Sequence, residues 1–298
     1  MEFNHFYTYL ITEKRCSPHT VESYKNDLQQ FEQFCQHEFE VCDSADVTQS
    51  MVRSWLATLM GENYAIASVH RKLSAVNAYY RFLQKIGEQE NNPARNISKP
   101  KLPKRLPSFI DERGASNLYD TALYTESAPT PFAAQRDKVI MTLLYETGMR
   151  RAELIGLRDQ DVDRYLQQIK VTGKRNKMRY IPVGKDMLEE IGKYIMLRDA
   201  EFDAPFEALL VNDKGKKISK SFVYSKVNFY LSQTSTLQKK SPHVLRHTFA
   251  THMLNHGAEL NVIKEILGHS SLAATQVYTH NNIEKLKSIH QKMHPRNN

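Results

Sequence analysis

Arg150, Lys174, His243, Arg246, His269 and Tyr278 stand in that order in the segments TGMR, GKRNK, HVLRH, LGH and VYTH, and each carries a group that can bind or act on an anion. The stretch SPHVLRHTFATHML, Ser241 to Leu254, is the most informative. Ser241 is placed to cap a helix and Pro242 to take its first position, so His243 falls in the first turn, where free N–H groups and the helix dipole attract negative charge. Arg246 lies one turn further along the same face. A phosphate there would meet backbone dipoles, an imidazole donor and a forked guanidinium together. Taken alone, H-x-x-R equally describes a capped helix with solvated polar residues. His252 and His256 also share a face, but HMLNH lacks the glutamate of a metalloprotease helix and has no cysteine nearby, which argues against zinc.

Two other segments place polar groups at breaks between helices. In YETGMRRAELIGL, Gly148 ends one helix and a second apolar run starts near Ala152, so Arg150 sits at a junction where a side chain can be aimed into a cleft. Glu153, one turn on, either orients its neighbours or forms an ordinary surface pair with Arg150. EILGHSSLAATQVYTH repeats the pattern: Gly268 stops a helix, His269 occupies the break, Ser270 or Ser271 caps the next helix, and Tyr278 follows on it. Tyr278 is one of 15 tyrosines and, taken singly, reads as a core ring with a satisfied hydroxyl.

The elements that must position these groups divide into two domains. Residues 1–97 form a helical domain, 98–107 a basic proline-rich linker, and 108–298 a larger, mainly helical domain. In SPHTVESYKNDLQQFEQFC, Ser17 caps a helix with Pro18 at its first position, and Val21, Tyr24, Leu28, Phe31 and Phe34 recur at helical spacing. Further helices cover TQSMVRSWLATLM and IASVHRKLSAVNAYYRFLQKIG, the latter closed by Gly87. His70, Arg71 and Lys72 read either as a solvated face or as a contact surface. In the linker SKPKLPKRLP, prolines block helix and central strand while Lys99, Lys101, Lys104 and Arg105 place charge of one sign along an extended segment, as a phosphate backbone would favour. The one strong strand signal is QQIKVTGKRNKMRYIPV, a hairpin with a basic tip, in which Ile169 and Val171 alternate before the turn and Met178, Tyr180 and Pro182 after it.

Composition is compatible with this arrangement. The 298 residues, 41% hydrophobic and 25% charged, suffice for two domains with cores. Lys and Arg number 41 against 33 Asp and Glu, an excess of +8 that suits a phosphate-bearing partner without requiring one. No apolar run approaches the roughly 20 residues a membrane helix needs, and MEFNHFYTYL lacks a basic region followed by a long apolar one, so a cytoplasmic protein with no membrane partner is expected. Cys16, Cys35 and Cys42 are too few and wrongly spaced for a disulfide framework or zinc ribbon and read as reduced packing residues.

Together, the ordered motifs resemble the tyrosine recombinase (phage integrase) family, and the ending HQKMHPR is similar to that of its Xer-type members. One departure is Arg175, where Xer-like hairpins usually carry glycine. The resemblance implies an N-terminal SAM-like core-binding domain joined to a mainly α catalytic domain with a small β-sheet. It implies cleavage and rejoining of DNA through a 3′-phosphotyrosine, without metal, ATP or other cofactor. Tyr278 would be the nucleophile, Arg150 and Arg246 the phosphate ligands, and His243 and His269 hydrogen-bonding partners, with His243 taking the tyrosine proton. Lys174 would protonate the leaving oxygen and Glu153 would support its neighbours. His19, Thr20, Arg71, Lys72, Lys99, Lys101, Lys104 and Arg105 are the expected DNA contacts. Double-stranded DNA is the implied partner, bound by a homo- or hetero-tetramer on two sites, with the segment after Tyr278 docked on a neighbour and a septal DNA translocase as an additional partner. Resolution of chromosome dimers is the expected role; integration of a mobile element, a type IB topoisomerase and a non-catalytic DNA-binding regulator are the alternatives.

Overall fold

Local sequence signals set the ends of the long helices. The computed structural model describes residues 1–101, 109–173, 177–238 and 240–268; Lys104, Arg105, Lys174, His269, Tyr278 and the segment after Tyr278 lie outside the described residues. The chain divides into two compact units, Met1–Arg105 and Leu106–Asn298.

The first unit contains α1 (Asn4–Thr12), α2 (Pro18–Phe39), α3 (Gln49–Gly61) and α4 (Ile66–Ile86). Ser17 Oγ accepts the Thr20 N–H at 3.2 Å and Pro18 supplies the preset first residue, so α2 starts where its sequence says it should. Leu28, Phe31 and Cys35 of α2 are buried with Trp55 of α3 and with Val69, Leu73, Val76, Tyr80 and Leu83 of α4, while Val21, Tyr24 and Phe34 pack at the edge of that core. Gly87 takes a left-handed conformation, φ 79°, and closes α4. Cys35 is a core residue as expected, but Cys42 is exposed.

Lys72 departs from expectation. It does not share the exposed face of Arg71 but is buried, its Nζ donating to Asp27 at 3.1 Å and to Gln30. Arg71 reaches the same buried carboxylate from the solvent side. The reason is electrostatic: Asp27 is 1% exposed and lies on the inner face of α2, and a carboxylate so placed needs a cation beside it. His19 and Thr20 are exposed at the start of α2, with the Thr20 hydroxyl 2.8 Å from that of Ser17. Lys99 and Lys101 are exposed, and the Pro100 carbonyl lies 2.7 Å from His70 Nε2.

The second unit is mostly helical around one central helix. Its elements are α5 (Glu112–Ser116), α6 (Thr121–Thr125), α7 (Pro131–Thr147), α8 (Arg151–Gly156), strands β1 (Val162–Asp163), β2 (Gln168–Thr172) and β3 (Met178–Pro182), then α9 (Lys185–Glu201), α10 (Lys220–Thr234), α11 (Pro242–Asn255) and α12 (Leu260–Leu267). α7 is buried on every side, with α9 and α11 packed against it. Among the described residues the strands form one antiparallel sheet in the order β1-β2-β3.

The hairpin is present, but its second strand faces the other way from the alternation read in the sequence. Ile169 and Val171 are buried as expected; on β3 it is Arg179, Ile181 and Pro182 that are buried, whereas Met178 is exposed and Tyr180 only half-buried. Pairing explains this, because Val171 lies opposite Arg179 and Ile169 opposite Ile181, and residues directly opposite share a face. Among the described residues, no helix is long and apolar enough to cross a membrane.

The buried cluster of the first unit yields a test. Asp27→Ala strands the Lys72 ammonium and should destabilise that unit by about 3–5 kcal/mol. Adding Lys72→Met to Asp27→Ala should recover most of the loss in urea denaturation; equal stability of the single and double variants would contradict the pairing.

Candidate active site

The site is built from helix ends. α7 finishes at Gly148, whose φ of 57° suits glycine, and a Cβ there would lie 2.6 Å from Phe249 Cδ1 and 2.7 Å from Leu267 Cδ2. Only glycine lets this terminus press against α11 and α12. The chain then turns through Arg150, extended at the N-cap of α8. Glu153, in the first turn of α8, accepts the Arg150 backbone N–H on Oε2 at 2.7 Å and its Nη1 on Oε1 at 3.0 Å.

Arg179 meets the same carboxylate from β3. Its Nη1 and Nη2 donate to Glu153 Oε1 and Oε2 at 2.8 and 2.9 Å, a bidentate pair, and its Nε donates to the Ile266 carbonyl at 2.6 Å. Arg246, from α11, donates through Nη1 to the Gly148 carbonyl at 2.6 Å and through Nη2 to the Leu267 carbonyl at 2.7 Å. Arg150 Nη2 donates to the Gly268 carbonyl at 3.3 Å. Three successive carbonyls at the end of α12 therefore receive Arg179, Arg246 and Arg150 in turn. The last carbonyls of a helix lack partners within it and carry the negative end of its dipole, so they suit guanidinium groups.

The charges in the cluster shift one another. Burial would raise the Glu153 carboxyl, but hydrogen bonds and charge from Arg179, with further bonds from Arg150, outweigh it and leave the group below the ordinary carboxylate range. Burial, followed by the Arg150 charge, lowers the Arg246 guanidinium to about 10, with Glu153 partly opposing. Arg246 remains charged at neutral pH. Arg150, Arg179 and Arg246 against one glutamate leave an excess of positive charge, as an anion site requires.

His243 is exposed in the first turn of α11, three residues before Arg246. Ser241 holds the N-cap position with extended backbone, but its side chain makes no capping bond, a departure from the expected cap. His252 is buried inside the unit, its Nδ1 2.9 Å from the Tyr145 hydroxyl. It is a core group.

Thus Arg150, Glu153 and Arg246 lie in one cluster, with His243 at the head of the helix that carries Arg246. Lys174, His269 and Tyr278 lie outside the described residues, but the residues preceding the first two border the cluster. A Cβ on Gly173 would stand 3.3 Å from Glu153 Oε1, and one on Gly268 would stand 3.1 Å from Arg179 Nη1. Arg179 was not among the candidates. Its signal was available in the pairing: once Ile169 and Val171 point inward, the residue opposite Val171 must too.

The sequence pattern of the phage integrase family matches residues 109–285, and that of the phage integrase N-terminal SAM-like domain matches residues 3–87. The chain belongs to the phage integrase family, the tyrosine recombinases. Among its relatives, Tyrosine recombinase XerC of Oceanobacillus iheyensis is 37% identical over 300 residues, 98% of this chain and 95% of that protein. Tyrosine recombinase XerC of Chlorobaculum parvum is 34% identical over 312 residues, 97% of this chain and 93% of that protein. A crystal structure of the XerH site-specific recombinase bound to a palindromic difH substrate shares the fold, with a TM-score of 0.71 at 20% identity over 91% of this chain and 79% of that one.

The cluster predicts a pH signature. Glu153→Gln keeps the volume and removes the charge facing Arg179, so it should destabilise the second unit by about 3–5 kcal/mol at neutral pH. Because the folded Glu153 titrates below its unfolded value, its contribution is complete above the ordinary carboxylate range and disappears as pH falls through the folded value. The stability gap between parent and Glu153→Gln should therefore close in acid; a gap that is constant or widens there would contradict the pairing.

Proposed function

We propose that this protein is a Xer-type site-specific tyrosine recombinase that cleaves and rejoins DNA through Tyr278. The observation that carries this reading is the anchoring of Arg150 and Arg246 by backbone carbonyls and Glu153 beside the first turn of α11. A phosphodiester under attack develops charge on its non-bridging oxygens, and donors already fixed in place stabilise that charge without reorganising. Arg150 and Arg246 fill this role, with His243 and His269 adding hydrogen bonds.

In the forward step the Tyr278 oxygen attacks phosphorus and the bond from phosphorus to the 5′ oxygen breaks. A phenol near pKa 10 is a poor nucleophile until a base assists it, so His243 takes its proton. Lys174 gives a proton to the departing 5′ oxygen. The phosphotyrosine conserves the ester bond, and attack by another 5′-hydroxyl in the reverse sense reseals the strand. Glu153 holds Arg150 in place. By the same reading, four protomers, of this chain alone or with a second recombinase, assemble on two duplex sites, and exposed His19, Thr20, Arg71, Lys99 and Lys101, with Lys104 and Arg105, contact phosphates. Near-full-length kinship to proteins named XerC favours chromosome-dimer resolution over integration of a mobile element, and in that role a septal DNA translocase would be a further partner.

Nicked duplexes that lose a short fragment on cleavage trap the covalent intermediate and test the reading directly. Tyr278→Phe should bind such DNA like the parent and form no adduct; an undiminished adduct would remove Tyr278 as nucleophile. Lys174→Ala should fail on ordinary DNA and recover when the bridging 5′ oxygen is replaced by sulfur, a leaving group that needs no proton. Failure on both substrates would assign the lysine a purely electrostatic role.

A further inference from the structure

Arg179 is the group in this site for which the reaction has no step. It is buried on β3, 5% exposed, and all three of its donor nitrogens are engaged by the protein. It is therefore not offered to a phosphate, unlike Arg150, which is 32% exposed at its side chain. We infer that Arg179 is a positioning residue for strand cleavage: one rigid guanidinium that locks together the hairpin bearing Lys174, the Glu153–Arg150 pair and the end of α12.

The geometry gives the reason an arginine is needed. The hairpin is joined through Arg179 itself, which sits on β3 one residue beyond the Thr172↔Met178 pair nearest the turn. Its Nη1 and Nη2 fork onto both oxygens of Glu153 and fix that carboxylate's rotation, so Oε1 and Oε2 are aimed at Nη1 and the backbone N–H of Arg150. Its Nε reaches the Ile266 carbonyl, next to the carbonyls that hold Arg246 and Arg150. Gly268 completes the seat, because a Cβ there would lie 3.1 Å from Nη1 and 3.2 Å from Cδ of Arg179. A lysine supplies the same charge but only a point donor, and cannot hold both carboxylate oxygens and the carbonyl at fixed angles. Losing the fork frees Glu153 to rotate, and with it Arg150.

The inference rests on the recombinase reading, and two measurements keep the two apart. The first needs no DNA. In full-length protein labelled with ¹⁵N-arginine, the Arg150 and Arg246 guanidinium signals should both be ordered in the parent. In Arg179→Lys the Arg150 signal should broaden or collapse to its free shift, while Arg246, held by the Gly148 and Leu267 carbonyls, keeps its own. The second uses one duplex recovered as a covalent adduct of the parent from a pool of nicked random-sequence duplexes. On it, Arg179→Lys should form adduct roughly tenfold to a hundredfold more slowly at saturating protein, with DNA affinity within about threefold of the parent. An unchanged Arg150 signal together with an unchanged rate would overturn the positioning role, as would simultaneous loss of the Arg246 signal, which marks general loosening. If Arg179→Lys does not fold, Arg179→Gln decides by the same two signals: loss of order at Arg150 with Arg246 retained supports the inference, and retention or loss of both overturns it. No adduct from the parent on any duplex would count against the recombinase reading itself, while the arginine signals would still report whether Arg179 holds Arg150.

Discussion

Guanidinium groups gathered at one point repel each other, and the end of α12 is where this chain meets that repulsion. Its Ile266, Leu267 and Gly268 carbonyls accept Arg179, Arg246 and Arg150. Among the described residues, Glu153 supplies the full negative charge bonded to them, buried and paired with two of the three. These acceptors are fixed by helix geometry, so the arginines are held in place before substrate binds. Burial, followed by the Arg150 charge, still lowers the Arg246 guanidinium, and an incoming anion would relieve part of the repulsion.

This constraint organises the second unit beyond the site. For α12 to present its last turn to α8, β3 and α11 together, α7 must stop abruptly, which Gly148 permits, and the termini must approach more closely than a Cβ allows. The sheet is small because its task here is local: β2 packs against α8, and β3 brings Arg179 to Glu153 and α12. Among the described residues, the architecture chiefly delivers the ends of α7, α8 and α12, with strand β3, to one point.

Much of this was legible in the sequence where the cause is local. The Ser17–Pro18 start, the left-handed glycines at 87, 148 and 268, and the one-turn spacing of His243 and Arg246 follow from capping, backbone sterics and helical period. The failures share a non-local cause. Lys72 was read with Arg71 as part of one basic face, because nothing near it in the chain announces Asp27, 45 residues earlier. The face of β3 was misread because Met178, Tyr180 and Pro182 alternate as convincingly as Arg179 and Ile181 do, and a one-residue shift exchanges the two sets. Arg179 was missed for the same reason. Backbone acceptors are invisible to motif reading altogether, since any residue type supplies a carbonyl.

In the proposed reaction the anchored arginines act by neutralising charge on a phosphate. Replacing one non-bridging oxygen of the scissile linkage by methyl removes that charge while keeping the phosphorus and its leaving group. On ordinary nicked DNA, Arg246→Ala should form covalent adduct at least about a hundredfold more slowly than the parent, as for the loss of a donor to a developing oxyanion. On the neutral linkage the two proteins should differ by less than about threefold, on the same scale. An Arg246→Ala defect of equal size on both linkages would contradict the account, because it would mean that the arginine shapes the site without opposing the phosphate charge.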